Sequence, residues 1–235
     1  MRLLRSLLFT IFLFVWTPLC GIVIAATAML PYRYRYATAS WYARQVLRCL
    51  RLTCGLRYQV EGREQVPPGN HITLWKHSSS WETIAMMVLL PPAVWVLKRE
   101  LMWLPFVGWG LAALRPIAID RGASRTAITQ VVDQGKARLA EGLWVVIFPE
   151  GTRTAPGETR RYGLSGAMLA VETGVKIIPV AHDAGDYWPR RGLLKKPGVI
   201  RVVFGPPIEP VPGDARATND KVQAWIDSTV AALRR

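Results

Sequence analysis

The stretch Leu74-Trp75-Lys76-His77-Ser78-Ser79-Ser80-Trp81-Glu82-Thr83 decides how the rest of the chain is read. An apolar run, His71 to Trp75, ends there; a polar turn follows, and a second apolar segment, Ile84 to Leu90, begins. The first run has the length of a buried strand and the second the character of a helix, so His77 falls at a strand exit and Glu82 in a first helical turn. On one continuous helix, residues five apart point about 140° away from each other. Across a strand-to-helix turn they can meet. An imidazole held by a carboxylate has its tautomer fixed and its protonated form stabilised, which is what a general base needs. Ser79-Ser80-Trp81-Glu82 also fits the S-x-x-E capping box, in which the carboxylate only satisfies a main-chain N–H. Both readings stand on spacing alone.

Outward from this turn the pattern alternates strand and helix. Candidate strands are Ile72–Trp75, Ala93–Leu97, Pro116–Ile119, Leu143–Phe148, Lys176–Ala181 and Val199–Phe204. Candidate helices are Thr83–Leu90, Ser124–Glu141, Tyr162–Thr173 and Thr218–Leu233, the last with Thr218 as N-cap. Such alternation predicts an α/β fold with a mostly parallel central sheet flanked by helices. Proline late in Ile177–Ala181 suggests an edge strand or a pocket wall. The aromatic run Trp103–Trp109 reads as core rather than as an acyl-chain pocket, and His182, with no partner at useful spacing, reads as structural.

Toward the N-terminus the composition shifts. Leu7 to Leu30 carries no charged residue and is long enough to cross a hydrocarbon core. Arg33 and Arg35, with Tyr32, Tyr34 and Tyr36, follow it like an interfacial belt and place the main domain on the cytoplasmic side. Pro18 allows a kink, and the stretch exceeds a usual signal-peptide core. Ser40 to Cys54 is amphipathic, with Arg44, Arg48 and Arg51 on one face, and reads as a helix lying in an anionic membrane surface or, alternatively, as a helix packed on the domain with solvated arginines. The sequence therefore divides into an anchor, 1–57, and a catalytic domain, 58–235. Of 235 residues, 51% are hydrophobic, and 30 Lys and Arg against 16 Asp and Glu give a formal charge of +14. That balance favours anionic partners such as a phospholipid surface. No nucleic-acid module is recognisable. Three cysteines, Cys20, Cys49 and Cys54, offer neither a disulfide framework nor metal-ligand spacing.

Three further blocks carry chemistry. Lys98-Arg99 follows a strand. Ile119-Asp120-Arg121 closes another. Phe148-Pro149-Glu150-Gly151-Thr152-Arg153 leaves the C-terminal end of a third, where open α/β sheets place their ligands. Gly151 would allow close backbone approach, and Arg153 can grip a phosphate through two N–H groups.

His77-x4-Glu82, Ile119-Asp120-Arg121, Phe148 to Arg153 and Ile178-Pro179-Val180, in that order, resemble the lysophosphatidate acyltransferase family over roughly Gly62 to Gly205. One departure stands out: the family acid is usually Asp, and here it is Glu82. The resemblance implies a glycerolipid-acyltransferase fold. His77 would be the base that deprotonates the hydroxyl of lysophosphatidate, and Glu82 would orient it. Arg121, Arg153 and Lys98 or Arg99 would hold the phosphate; Gly151 and Thr152 would shape that site, and Glu150 would order the loop. The acyl donor would be acyl-CoA or acyl-carrier protein, with no metal and no other cofactor. Acylation of another lysolipid, such as lyso-ornithine lipid, and a non-catalytic membrane-anchored anion-binding protein are the alternatives.

Overall fold

A computed structural model describes residues 1–120 and 124–234, with main chain only at 124 and 125. In chain order the elements are α1 (Arg2–Ala26), α2 (Tyr32–Cys54), β1 (Leu56–Glu61), β2 (Ile72–Trp75), α3 (Trp81–Leu89), β3 (Ala93–Lys98) and α4 (Val107–Ala113). There follow β4 (Ile117–Ile119), α5 (Ser124–Ala140), β5 (Trp144–Ile147), α6 (Ser165–Thr173), β6 (Ile177–His182), α7 (Ala184–Tyr187), β7 (Gly198–Phe204) and α8 (Ala215–Leu233). Seven strands form one sheet in the order β1-β7-β6-β2-β5-β3-β4. Every pairing is parallel except β6 with β7, so β7 and β1 run against the other five.

Both faces of the sheet are covered except at the β7–β1 end, where Arg57, Gln59, Val199 and Arg201 are exposed, and side-chain alternation sorts the residues between the faces. Ala93, Trp95, Trp144, Val146 and Trp75 enter a core shared with α1, α2 and α3. Val94, Val145, Ile147, Ile72 and Leu74 enter a second core with Val131, Leu169, Val222 and Ile226 of α5, α6 and α8.

Several expectations are corrected. β6 is an internal strand, not an edge. Its Pro179 is tolerated because the ring nitrogen faces the point where β7 departs at Gly205-Pro206-Pro207; Gly205 donates to the Pro179 carbonyl at 2.8 Å, and pairing resumes at Ile208. The last helix starts earlier than expected: Asp214 accepts the Ala217 N–H at 2.8 Å, and Thr218 lies inside the helix. Trp103, Phe106 and Trp109 are exposed, not core.

The N-terminal helices also pack differently from expectation. α1 runs unbroken through Pro18. It lies along the domain: Ser6 and Phe9 near its start and Cys20, Gly21 and Ile24 near its end are buried. α4 crosses it very closely, for a methyl on Gly21 would sit 2.5 Å from the Phe106 carbonyl oxygen, and one on Gly110 would sit 2.8 Å from the Gly21 oxygen. The opposite face of α1, including Leu4, Leu8, Ile11, Phe14, Val15 and Ile22, is exposed. α2 does not lay its apolar face in a membrane. Ala39, Ala43, Val46, Leu47 and Leu50 are buried in the core that it shares with α3, and Arg44, Arg48 and Arg51 remain on the surface. The apolar stripe goes to the larger protein surface available to it, which leaves only the cationic face for solvent or headgroups.

Candidate active site

The C-terminal ends of β2 and β5 lie side by side, which brings His77 and the Pro149–Thr154 loop together. His77 Nδ1 lies 2.9 Å from Glu82 Oε1. The same oxygen accepts the main-chain N–H of Ser78 at 2.9 Å and of Ser79 at 2.8 Å. A carboxylate at this position can only accept, so Nδ1 carries the proton and donates it, leaving Nε2 with its lone pair. Ser79 Oγ in turn accepts the Trp81 N–H at 3.1 Å at the start of α3. Glu82 thus satisfies main-chain donors at the turn and orients the imidazole as well; the two readings of this carboxylate are not exclusive.

Glu82 is wholly buried. Burial pushes its carboxyl up, but the hydrogen bond from His77, the neighbouring imidazoles and the Ser79 N–H outweigh this and hold it below the ordinary carboxylate range. Its second oxygen has no hydrogen-bond partner among the described residues and lies 3.9 Å from His182 Nε2. His182 donates that nitrogen's proton to the Lys76 carbonyl at 2.8 Å, while its Nδ1 accepts the Ala184 N–H at 3.3 Å. Both ring nitrogens are occupied as a neutral ring requires, and burial draws its pKa down.

The loop after β5 clamps the histidine from behind. Glu150 Oε2 accepts the His77 N–H at 2.7 Å, and Oε1 pairs with the buried Lys76 ammonium. Burial pushes the Glu150 carboxyl up, against the pull of Lys76 and the His77 N–H. Thr154 donates to the His77 carbonyl through its N–H at 2.8 Å and its hydroxyl at 3.1 Å. The Phe148 ring stacks on the imidazole, centroids 4.3 Å apart.

In front of His77 opens a cavity of about 420 Å³, within the range of small-ligand sites. Thr152, Arg153 and Arg190 line it near the histidine, with Lys98 on β3; Cys20, Gly21 and Ile24 of α1, with Met87, Leu111 and Leu114, make its apolar wall. Arg190 Nη1 donates to the Arg153 carbonyl at 3.0 Å. Neither guanidinium forms an ion pair among the described residues, whereas Lys98 pairs with Glu100 at 2.9 Å.

Of the residues expected at the site, His77, Glu82, Lys98, Thr152 and Arg153 meet here. Glu150 gives its carboxylate to Lys76 and the His77 main chain rather than to the cavity. Gly151 sits at positive φ (68°) in an exposed turn and does not line the cavity; it allows the chain to reverse between Glu150 and Thr152. Arg99 is exposed and outside the cavity lining. Arg121 lies outside the described residues. Lys76, Thr154, Arg190 and the Phe148 ring were not anticipated as site groups. For Lys76 a signal existed, since a lysine closing an apolar strand beside a buried loop acid invites an ion pair.

Comparison with known proteins agrees with this geometry. The family model described as Acyltransferase matches residues 57–183. The 1-acyl-sn-glycerol-3-phosphate acyltransferase of Pseudomonas aeruginosa is 40% identical over 98% of this chain and 91% of its own. The human 1-acyl-sn-glycerol-3-phosphate acyltransferase alpha is 28% identical over 77% of this chain and 66% of its own. In fold, the chain superposes on the crystal structure of the acyltransferase PlsC from Thermotoga maritima with a TM-score of 0.81, at 22% identity, over 99% of this chain and 96% of that one. A histidine–carboxylate pair at one end of an apolar cavity, on this sheet and with these relatives, places the chain plainly: it belongs to the acyltransferase family, alongside the 1-acyl-sn-glycerol-3-phosphate acyltransferases.

Proposed function

We propose that this acyltransferase moves a fatty acyl group from a thioester donor, acyl-CoA or acyl-carrier protein, to the free hydroxyl of 1-acyl-sn-glycerol-3-phosphate, giving phosphatidate. One observation carries the reading. The imidazole that Glu82 holds by Nδ1 faces a mostly apolar cavity also lined by Arg153 and Arg190, which form no ion pair among the described residues.

His77 Nε2 takes the proton of the acceptor hydroxyl as that oxygen attacks the thioester carbonyl carbon. The carbon–sulfur bond then breaks, and the departing thiolate receives the proton from Nε2. Glu82 stabilises the intervening imidazolium and holds the ring in register. Arg153 and Arg190, with Lys98, bind the acceptor's phosphate, and the apolar wall takes acyl chain. Glu150 and Lys76 act one layer back, fixing the main chain of His77.

The exposed apolar face of α1 suits a lipid surface, since soluble monomers rarely expose contiguous patches beyond a few hundred Å². Helix α1 is long and apolar enough to cross a membrane by length and composition. Its docking along the domain favours an in-plane position in one leaflet, and Arg33 and Arg35 after it favour the cytoplasmic side for the catalytic domain. Purified protein assayed with lysophosphatidate, an uncharged lysolipid and lyso-ornithine lipid, each with acyl-CoA and with acyl-carrier protein, tests the assignment. Phosphatidate formation well above the other products supports it; equal use of acceptors lacking phosphate removes the role of the arginines.

A further inference from the structure

We infer that the segment joining α7 to β7, Trp188–Pro197, is a second bilayer contact, and that docking on an anionic lipid surface places its cavity-lining Arg190 beside that surface. This rests on the reading that α1 lies in the membrane, and adds a named loop and a consequence for the site.

The sequence of the segment is Trp188-Pro189-Arg190-Arg191-Gly192-Leu193-Leu194-Lys195-Lys196-Pro197, with four cations and no acid. Leu193 and Leu194 are 44% and 46% exposed. Arg190, Arg191 and Lys196 beside them are exposed too. Single exposed leucines are ordinary; an exposed pair rimmed by cations, fixed against an apolar helix, has the composition of a contact with anionic lipid.

Lys195 does the fixing. Its side chain is buried although no acid pairs with it among the described residues. The main-chain N–H donates to Ser6 Oγ at 3.0 Å, and the ammonium donates to Thr10 Oγ1 at 2.7 Å and to the Leu193 carbonyl at 2.9 Å. The ammonium also lies 5.3 Å from the Phe9 ring centroid and 5.1 Å from that of Trp188, where the ring faces attract a cation. These contacts join the leucine pair to the stretch of α1 where Leu3, Leu4, Leu7 and Leu8 are exposed. The leucine pair is thus held beside the first turns of α1, and a bilayer that takes the exposed side of that helix is expected to reach the pair as well.

The same short segment runs into the cavity. Arg190 lines it and donates to the Arg153 carbonyl. Only Arg191 and Gly192 separate Arg190 from the leucine pair, so their depth in a bilayer constrains where that guanidinium sits. A lipid acceptor arriving from the surface would meet Arg190 already seated.

The test uses the full-length protein with phosphatidylglycerol and phosphatidylcholine vesicles, wild type against the double variant Leu193→Ser, Leu194→Ser. Amide hydrogen exchange of the wild type is expected to slow over Gly192–Lys196 on phosphatidylglycerol vesicles. The double variant is expected to bind those vesicles roughly tenfold to a hundredfold less tightly, the size expected for losing the contact of two leucines that each have just under half their surface left to bury. It should lose acyl transfer at limiting vesicle concentration in the same proportion. With a short-chain lysophosphatidate dissolved as monomers, its turnover should match wild type. Wild type that binds vesicles with unchanged exchange in this loop, and a variant equal to it on vesicles, would overturn the inference and leave the α1 reading standing. Wild type that fails to bind either vesicle would overturn both.

Discussion

Glu82 Oε1 receives the His77 Nδ1–H at 2.9 Å while accepting the N–H groups of Ser78 and Ser79. One oxygen therefore shapes the turn after β2 and selects the tautomer of the ring at its start. The extra methylene of Glu over Asp is accommodated by bringing the carboxylate back from the first turn of α3 to the residues before it. The second oxygen, buried 3.9 Å from His182 Nε2, has no hydrogen-bond partner among the described residues.

His182 makes part of the stability pH-dependent. Burial draws its pKa below the ordinary value of 6.5, against the pull of Glu82. Below that value the unfolded chain binds a proton that the folded protein refuses. The contribution is thus full above pH 6.5 and is lost as pH falls through the folded-state value. Thermal unfolding of wild type should lose up to about 1.4 kcal/mol per pH unit in that window from this group. His182→Gln, which can keep a donor to the Lys76 carbonyl, should flatten that part of the curve. An unchanged slope would place the titration elsewhere.

Phosphate recognition is assigned to the cavity-lining Arg153 and Arg190, which form no ion pair among the described residues. Arg153→Ala and Arg190→Ala should each raise KM for lysophosphatidate roughly tenfold to a hundredfold, the loss expected for a hydrogen bond to a charged group. For an acceptor lacking phosphate the change should be much smaller. Equal losses on both acceptors would reassign these arginines to the fold.

Lys76 and Glu150 form a buried pair that carries the main chain of His77. Removing one partner leaves the other charge buried and alone, so Lys76→Met should lower stability by about 3–5 kcal/mol in denaturant unfolding. A variant as stable as wild type would show that Glu150 takes its proton or finds solvent without cost.

Much of this architecture is legible in the chain because it depends on local pattern. β2, β3, β5 and β6 appear as short apolar runs, since strands buried on both faces have no polar side to show, and β7 shows as an apolar run broken by the exposed Arg201. β1 was missed for the opposite reason: Arg57, Tyr58 and Gln59 are exposed on this edge strand and hide its period. His77 and Glu82 were readable because five residues and one turn hold them. Arg190 was not, because only the tertiary path of the segment after α7 carries it to the cavity. The aromatic run Trp103–Trp109 misled, for aromatic side chains signal burial from water, yet Trp103, Phe106 and Trp109 lie on the surface. Apolarity likewise placed the stripe of α2 in a membrane, although α3 and α1 supply the partner.

The central claim is that the negative charge of Glu82 supports a proton on His77 during acyl transfer, and Glu82→Gln tests it most directly. The amide oxygen of glutamine can still accept the Ser78, Ser79 and His77 N–H groups, so the turn survives and only the charge is lost. Single-turnover acyl transfer to lysophosphatidate, measured beside thermal unfolding above pH 6.5, should show a rate lower by a factor on the order of a hundred or more at nearly unchanged stability. Wild-type turnover in this variant would contradict the account and leave Glu82 as a cap on the turn.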